Sequence, residues 1–309
     1  MPASPAVSFA DPAALMRIRN LELRARAVVE GFWRGIHRSP YHGFSSEFTE
    51  YRPYVPGDDL RYLDWKLLAR SDRACTRKFE DETNVACHLL LDVSRSMDFA
   101  SGSWSKLEYA RTLAASLAIF LERQGDTTGL ITFSEGIEQY VPARRKREGR
   151  HELMAALGRP RVTPGTALDL PIDHVLRTSR RRGLVILISD LLAPLDALDP
   201  KLSALTACGH DVSVYQVLDR AEIEFSFGEA ALFEDLETGE VLHVDPTTAR
   251  ARYLDRIAGH QRQLERICNA AGILLHRFPT DEHLESALFT HLSDRARRNR
   301  GARRSRQRT

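Results

Sequence analysis

The chain has 309 residues and is 43% hydrophobic, 8% aromatic and 28% charged, with 18 glycines and 14 prolines, the balance of a water-soluble globular protein. Collagen-like, disulfide-scaffold and wholly disordered classes are excluded, since a chain this long buries roughly three-quarters of its unfolded surface without staples. The formal charge of +2 hides an asymmetry: Arg295 to Thr309 hold eight arginines and no acid, so the remaining 36 basic residues face 42 acidic ones.

Met1 to Ala14 is rich in Pro, Ala and Ser, and Leu15, Ile18, Leu21, Leu23 and Val28 follow at loose helical spacing without strong caps, which reads as a flank over 1–34. Met1 to Phe9 carry no positive charge and no sustained apolar stretch, and no later run approaches the roughly 18 apolar residues of a membrane span, so the expected compartment is the cytoplasm. The four cysteines, Cys75, Cys87, Cys208 and Cys268, are too scattered for a disulfide framework or a structural zinc site. From His37 to Asp72 tyrosines, prolines and charges alternate without period, with Pro56-Gly57 suited to a type II turn. This makes 35–84 an ordered, irregular or β extension packed on the core.

Beyond Ala74 short apolar runs alternate with amphipathic stretches, the pattern of an α/β fold with a mostly parallel sheet covered by helices. The runs are Val85 to Leu91, Gly129 to Phe133, Leu184 to Ile188 and Val212 to Leu218, with Ile273 to His276 later. Ser105-Lys-Leu-Glu108 reads as a capping box ahead of Leu107, Ala110, Ala114, Leu117 and Leu121 at helical spacing. Thr166 to Asp169 opens a second helix bearing Leu168, Ile172, Val175 and Leu176. Leu195 to Cys208, Tyr253 to Ala271 and Glu282 to Leu292 supply others, so the α/β domain is expected over 85–294 and the arginine tail over 295–309.

In open parallel sheets, ligands bind beyond the carboxyl ends of the strands. Two of the apolar runs end there in acids, one in Asp92-Val-Ser-Arg-Ser96-Met97 and the other in Ser189-Asp190, while Thr163-Pro-Gly-Thr166 is a tight loop before a helix. Asp92, Ser94, Ser96, Thr166 and Asp190 are therefore the candidate metal ligands, with Thr163 a rival to Thr166. An all-oxygen set suits Mg²⁺ or Mn²⁺ rather than zinc or copper. Direct ligation by the hydroxyls, with the carboxylates acting through water, would keep the ion electron-poor and open to an external carboxylate. His88 lies inside an apolar run and reads as a core histidine.

These five residues resemble the metal-ion-dependent adhesion site (MIDAS) of von Willebrand factor A domains, over about Val85 to Leu218. Glu47-Phe-Thr-Glu-Tyr-Arg-Pro-Tyr-Val-Pro-Gly-Asp-Asp-Leu-Arg-Tyr-Leu-Asp-Trp-Lys66 and Gly209 to Asp219 resemble the bacterial domain-of-unknown-function family fifty-eight. The resemblance spans about Gly35 to Leu292 and implies a Rossmann-like, von Willebrand A-like sheet with helices on both faces. It also implies a protein-interaction role beside a MoxR-type AAA+ ATPase.

Within the extension, Arg52, Asp58, Asp59, Arg61, Asp64, Trp65 and Arg70 offer a partner surface, Arg and Trp being frequent interface anchors. The same charges also suit internal pairing that packs the segment on the sheet. No phosphate-binding loop, dinucleotide turn, zinc-protease helix or esterase elbow occurs. The reading is a non-enzymatic, Mg²⁺- or Mn²⁺-dependent adaptor that binds acidic side chains. Its alternatives are a Mg²⁺-dependent phosphoester hydrolase and nucleic-acid association through the tail.

Overall fold

A computed structural model describes residues 11–38, 50–54, 75–78, 85–144, 147–159, 162–179, 181–227, 231–234, 241–244, 246–291 and 293–294. Two helices come first, α1 (Pro12–Met16) and α2 (Leu21–Arg38), followed by an antiparallel pair, β1 (Glu50–Pro53) and β2 (Cys75–Lys78). The central unit then runs β3 (Ala86–Asp92), α3 (Lys106–Arg123), β4 (Thr127–Phe133), β5 (Ile137–Arg144), α4 (Arg147–Gly158), α5 (Asp169–Thr178), β6 (Leu184–Ser189), α6 (Leu198–Ala207) and β7 (Asp211–Leu218). A short α7 (Arg220–Glu224), a second antiparallel pair, β8 (Ala231–Glu234) and β9 (Val241–Val244), and a long α8 (Pro246–Ala270) lead to β10 (Leu274–Pro279) and a last helix, α9, over 284–291.

Six strands form one sheet in the order β10-β7-β6-β3-β4-β5, with β5 antiparallel and the rest parallel. This is a doubly wound, Rossmann-like order of the von Willebrand A type, in which the chain reverses its direction of travel at β3, the kind of switch point beside which such sheets bind ligands. Side chains alternate across the sheet as the two-residue period requires. Leu89, Leu91, Ile186, Ile188, Tyr215 and Val217 pack on one face with α2, α3 and α9. On the other face Leu90, Val185, Leu187, Val212 and Val214 pack with Ile172 and Val175 of α5, Leu202 and Leu205 of α6 and Leu264 of α8.

The N-terminal segment is helical, as its spacing suggested, and packs into the core. Helix α2 runs through the boundary expected after residue 34, and Ala25, Val28, Val29 and Phe32 are fully buried in the main core. Phe32 stacks edge-on against Phe120 of α3 and Phe289 of α9, with ring centroids 5.4 and 4.6 Å away. Arg24 ties α2 to α3 by a 2.8 Å ion pair with Glu108. That pair also revises the capping box expected at Ser105. The Ser105 hydroxyl does accept from the Glu108 N–H at 3.3 Å, but the Glu108 carboxylate turns to Arg24.

Strands β3 and β6 come together closely at their starts. A Cβ on Gly183 would lie 2.5 Å from the Ala86 carbonyl oxygen, a backbone atom that cannot swing aside. Gly183→Ala is therefore expected to cost about 1–3 kcal/mol through overpacking, read as a lower urea midpoint at an unchanged slope. His88 is buried beneath α5 as a core histidine should be, and burial first, then the nearby His210 and His174, lower its pKa to about 4.

Candidate metal centre at the strand ends

The register of the sheet decides what meets at its carboxyl edge. Leu91 pairs with Ile188 and Ile188 with Tyr215, so Asp92 and Ser189 end adjacent strands side by side, and Ser189 in turn pairs with Gln216. Ser189 Oγ donates to Asp92 Oδ2 at 2.6 Å and accepts from the Leu191 N–H at 2.9 Å. Asp92 Oδ1 accepts from the Ser94 N–H at 2.9 Å, which turns the chain just past β3. The turn brings Ser94 Oγ within 3.1 Å of Ser96 Oγ, at the start of a 3₁₀ turn over Arg95–Asp98. Met97 anchors that turn in the core.

Asp190 follows Ser189 and is nearly as buried as Asp92. Its main-chain carbonyl accepts from Gln216 Nε2 at 2.9 Å, and Leu191, the next residue, has φ +54°, a left-handed conformation that non-glycine residues adopt at a cost. Burial of Asp92 and then the nearby Asp190 charge both disfavour its ionised form. Against the hydrogen bonds from Ser189 and Ser94, these raise its pKa to about 7.

The threonine loop reaches the same place by its backbone. Thr163 bridges to Ser94, and the Arg95 N–H donates to the Thr163 carbonyl at 3.1 Å. The Thr163 hydroxyl is engaged elsewhere, donating to Glu138 Oε1 at 2.9 Å, an oxygen that also accepts from Ser134 Oγ at 2.7 Å. Between the two rivals, Thr166, half-buried behind the tight turn at Gly165 (φ +83°), is thus the threonine not committed to Glu138. Among the described residues, no three His, Cys, Asp or Glu side chains gather closely enough to hold a metal by themselves.

The donor set fits a hard cation. It is all oxygen, and two of its hydroxyls already touch. Three polar residues not anticipated from the sequence complete the site: Lys106, Ser189 and Glu222. Lys106 Nζ donates to Asp190 Oδ2 at 2.8 Å and to Glu222 Oε1 at 2.6 Å. Burial works against the Lys106 charge, but Asp190 and then Glu222 outweigh it and raise its pKa. Glu222 belongs to a full capping box on α7, where Asp219 accepts from the Ala221 N–H at 2.8 Å and Glu222 Oε2 from the Asp219 N–H at 2.9 Å.

The candidate partner surface is another matter. Asp58, Asp59, Arg61, Asp64, Trp65 and Arg70 lie outside the described residues, as does the tail from Arg295, and of Arg52 only its place in β1 is described. No helix among the described residues is long and apolar enough to cross a membrane.

The chain is 30% identical over 292 residues to the uncharacterized protein Rv1480 of Mycobacterium tuberculosis, covering 93% of this chain and 91% of that one. Among solved structures it is similar to BatB from Bacteroides thetaiotaomicron, at 17% identity and a TM-score of 0.46, over 69% of this chain and 99% of that one. It is also similar to the SpRpn10 VWA domain, at 13% identity and a TM-score of 0.42, over 67% of this chain and 94% of that one. Residues 50–263 match the family described as protein of unknown function DUF58, and the chain belongs to that family.

Proposed function

We propose that this protein is a non-enzymatic interaction module that binds an acidic side chain of a partner through a divalent cation, Mg²⁺ or Mn²⁺, at the carboxyl edge of its sheet. The observation that carries this reading is the convergence of Asp92, Ser94, Ser96 and Asp190 beside the Thr163–Thr166 loop, with the Ser94 and Ser96 hydroxyls 3.1 Å apart. In this reading the two serines and Thr166 hold the ion directly, while Asp92 and Asp190 orient them and balance charge. A bound cation would supply a Lewis-acidic position for an external carboxylate oxygen. The chain's own part is to keep the hydroxyls converged and the carboxylates dry. The partner proposed from the family resemblance is a MoxR-type AAA+ ATPase, met in the cytoplasm, with this protein as its adaptor.

Isothermal titration with MgCl₂ tests the cation, and pull-down of the ATPase encoded nearest in the genome tests the partner. Wild-type protein is expected to bind Mg²⁺ and to capture the ATPase only when Mg²⁺ is present. The double variant Ser94→Ala/Ser96→Ala should keep the wild-type circular dichroism spectrum and lose both activities. Capture that persists in EDTA would overturn the cation-mediated reading.

A further inference from the structure

We infer that Lys106 is a built-in counter-cation of the proposed cation site, which holds Asp190 out of direct ligation and lowers the affinity of the site for divalent ions. The inference rests on the cation reading just given. Lys106 is fully buried at the first position of α3, with its ammonium 2.8 Å from Asp190, 2.6 Å from Glu222 and 5.9 Å from the centre of the Phe99 ring. That is a poor place for a lysine on grounds of stability, because it loses its hydration and sits at the positive end of a helix. Buried ion triads also add little compared with apolar side chains of equal volume. Ala110, Leu113 and Leu117, which continue the same helical stripe, are all fully buried, so an apolar residue at 106 would extend the packing. What the lysine supplies is charge and position.

Both effects fall on Asp190. Its Oδ2 accepts from Lys106 and its Oδ1 from the Leu192 N–H at 3.2 Å, so each carboxylate oxygen is already engaged within the protein. Asp92, by contrast, is bonded to Ser94 and Ser189. Counted formally, Asp92, Asp190 and Glu222 against Lys106 leave a surplus of two negative charges, which one divalent ion neutralises. Without the lysine, Asp190 is free to turn to the ion and the surplus rises to three.

Titration of Mg²⁺ into the wild type, Lys106→Met and Lys106→Met/Glu222→Gln separates charge from position. The double variant keeps the formal charge of the wild type and leaves no lone buried carboxylate on α7, which keeps the test usable if the single variant does not fold. We expect the double variant to bind Mg²⁺ about ten-fold more tightly than the wild type, and the single variant more tightly still. A double variant equal to or weaker than the wild type overturns the role of Lys106 while leaving the cation site standing. A wild-type chain that takes up no Mg²⁺ overturns both. A merely structural brace would lower the melting temperature of the variants without tightening Mg²⁺ binding.

Discussion

Asp92→Asn is expected to raise the stability of the metal-free protein at pH 8 and to abolish its response to Mg²⁺. Asp92 is fully buried with a pKa raised to about 7, first by burial and then by Asp190, whereas the unfolded chain gives it an ordinary value near 4. Between those values the folded state keeps a proton that the unfolded state has lost. Stability from this group is therefore fully present below about pH 4 and falls as the pH climbs through 7, the reverse of the usual carboxylate. By pH 8 the ionised side chain costs the fold on the order of 2–4 kcal/mol.

Asparagine has the same shape and removes that cost. Its amide oxygen can still accept from the Ser94 N–H, and its NH₂ can donate to Ser189 Oγ, reversing the present bond. Urea denaturation in EDTA should show Asp92→Asn more stable than the wild type at pH 8, with the gap closing towards pH 4. Mg²⁺ at a hundred times its dissociation constant should then stabilise the wild type at pH 8 by about 2.7 kcal/mol and leave the variant unchanged. A variant less stable than the wild type at both ends of the range would show that the Asp92 charge is already satisfied within the fold.

The sheet was legible because its parallel strands are buried on both faces and read as unbroken apolar runs, as at Leu89-Leu90-Leu91 and Val185 to Ile188. Edge strand β5 was not, since it is half-exposed, mixes Ile137 and Tyr140 with Glu138 and Gln139, and carries a register shift against β4. Asp92, Ser94, Ser96 and Asp190 could be placed at one edge from strand ends alone. Their internal partners could not, because Lys106, Glu222 and Asp190 are brought together over 84 and 116 positions of sequence. One signal for Lys106 was present all the same: a lysine in line with Ala110, Leu113 and Leu117 breaks an otherwise apolar stripe. Glu222 was hidden within a second capping pattern, Asp219 to Glu222, of the kind read instead from Ser105 to Glu108.

Phe32→Ala is expected to destabilise the protein by about 3–5 kcal/mol, a large part of the roughly 5–15 kcal/mol that domains of this kind possess. The ring is fully buried and touches the aromatic rings of Trp33, Phe120 and Phe289, so alanine leaves a cavity where α2, α3 and α9 meet. Those helices cover the face of the sheet that holds Leu91, Ile188 and Val217, one residue before Asp92, two before Asp190 and two before Asp219. Loosening the cover should therefore reach the strand ends. Guanidinium melts should show the loss directly, and Mg²⁺ binding by the folded fraction should weaken with it. A loss below about 1 kcal/mol, the scale of a surface change, would mean that α2 only lies against the domain, and that a chain beginning after Arg38 would fold and bind the cation unaided.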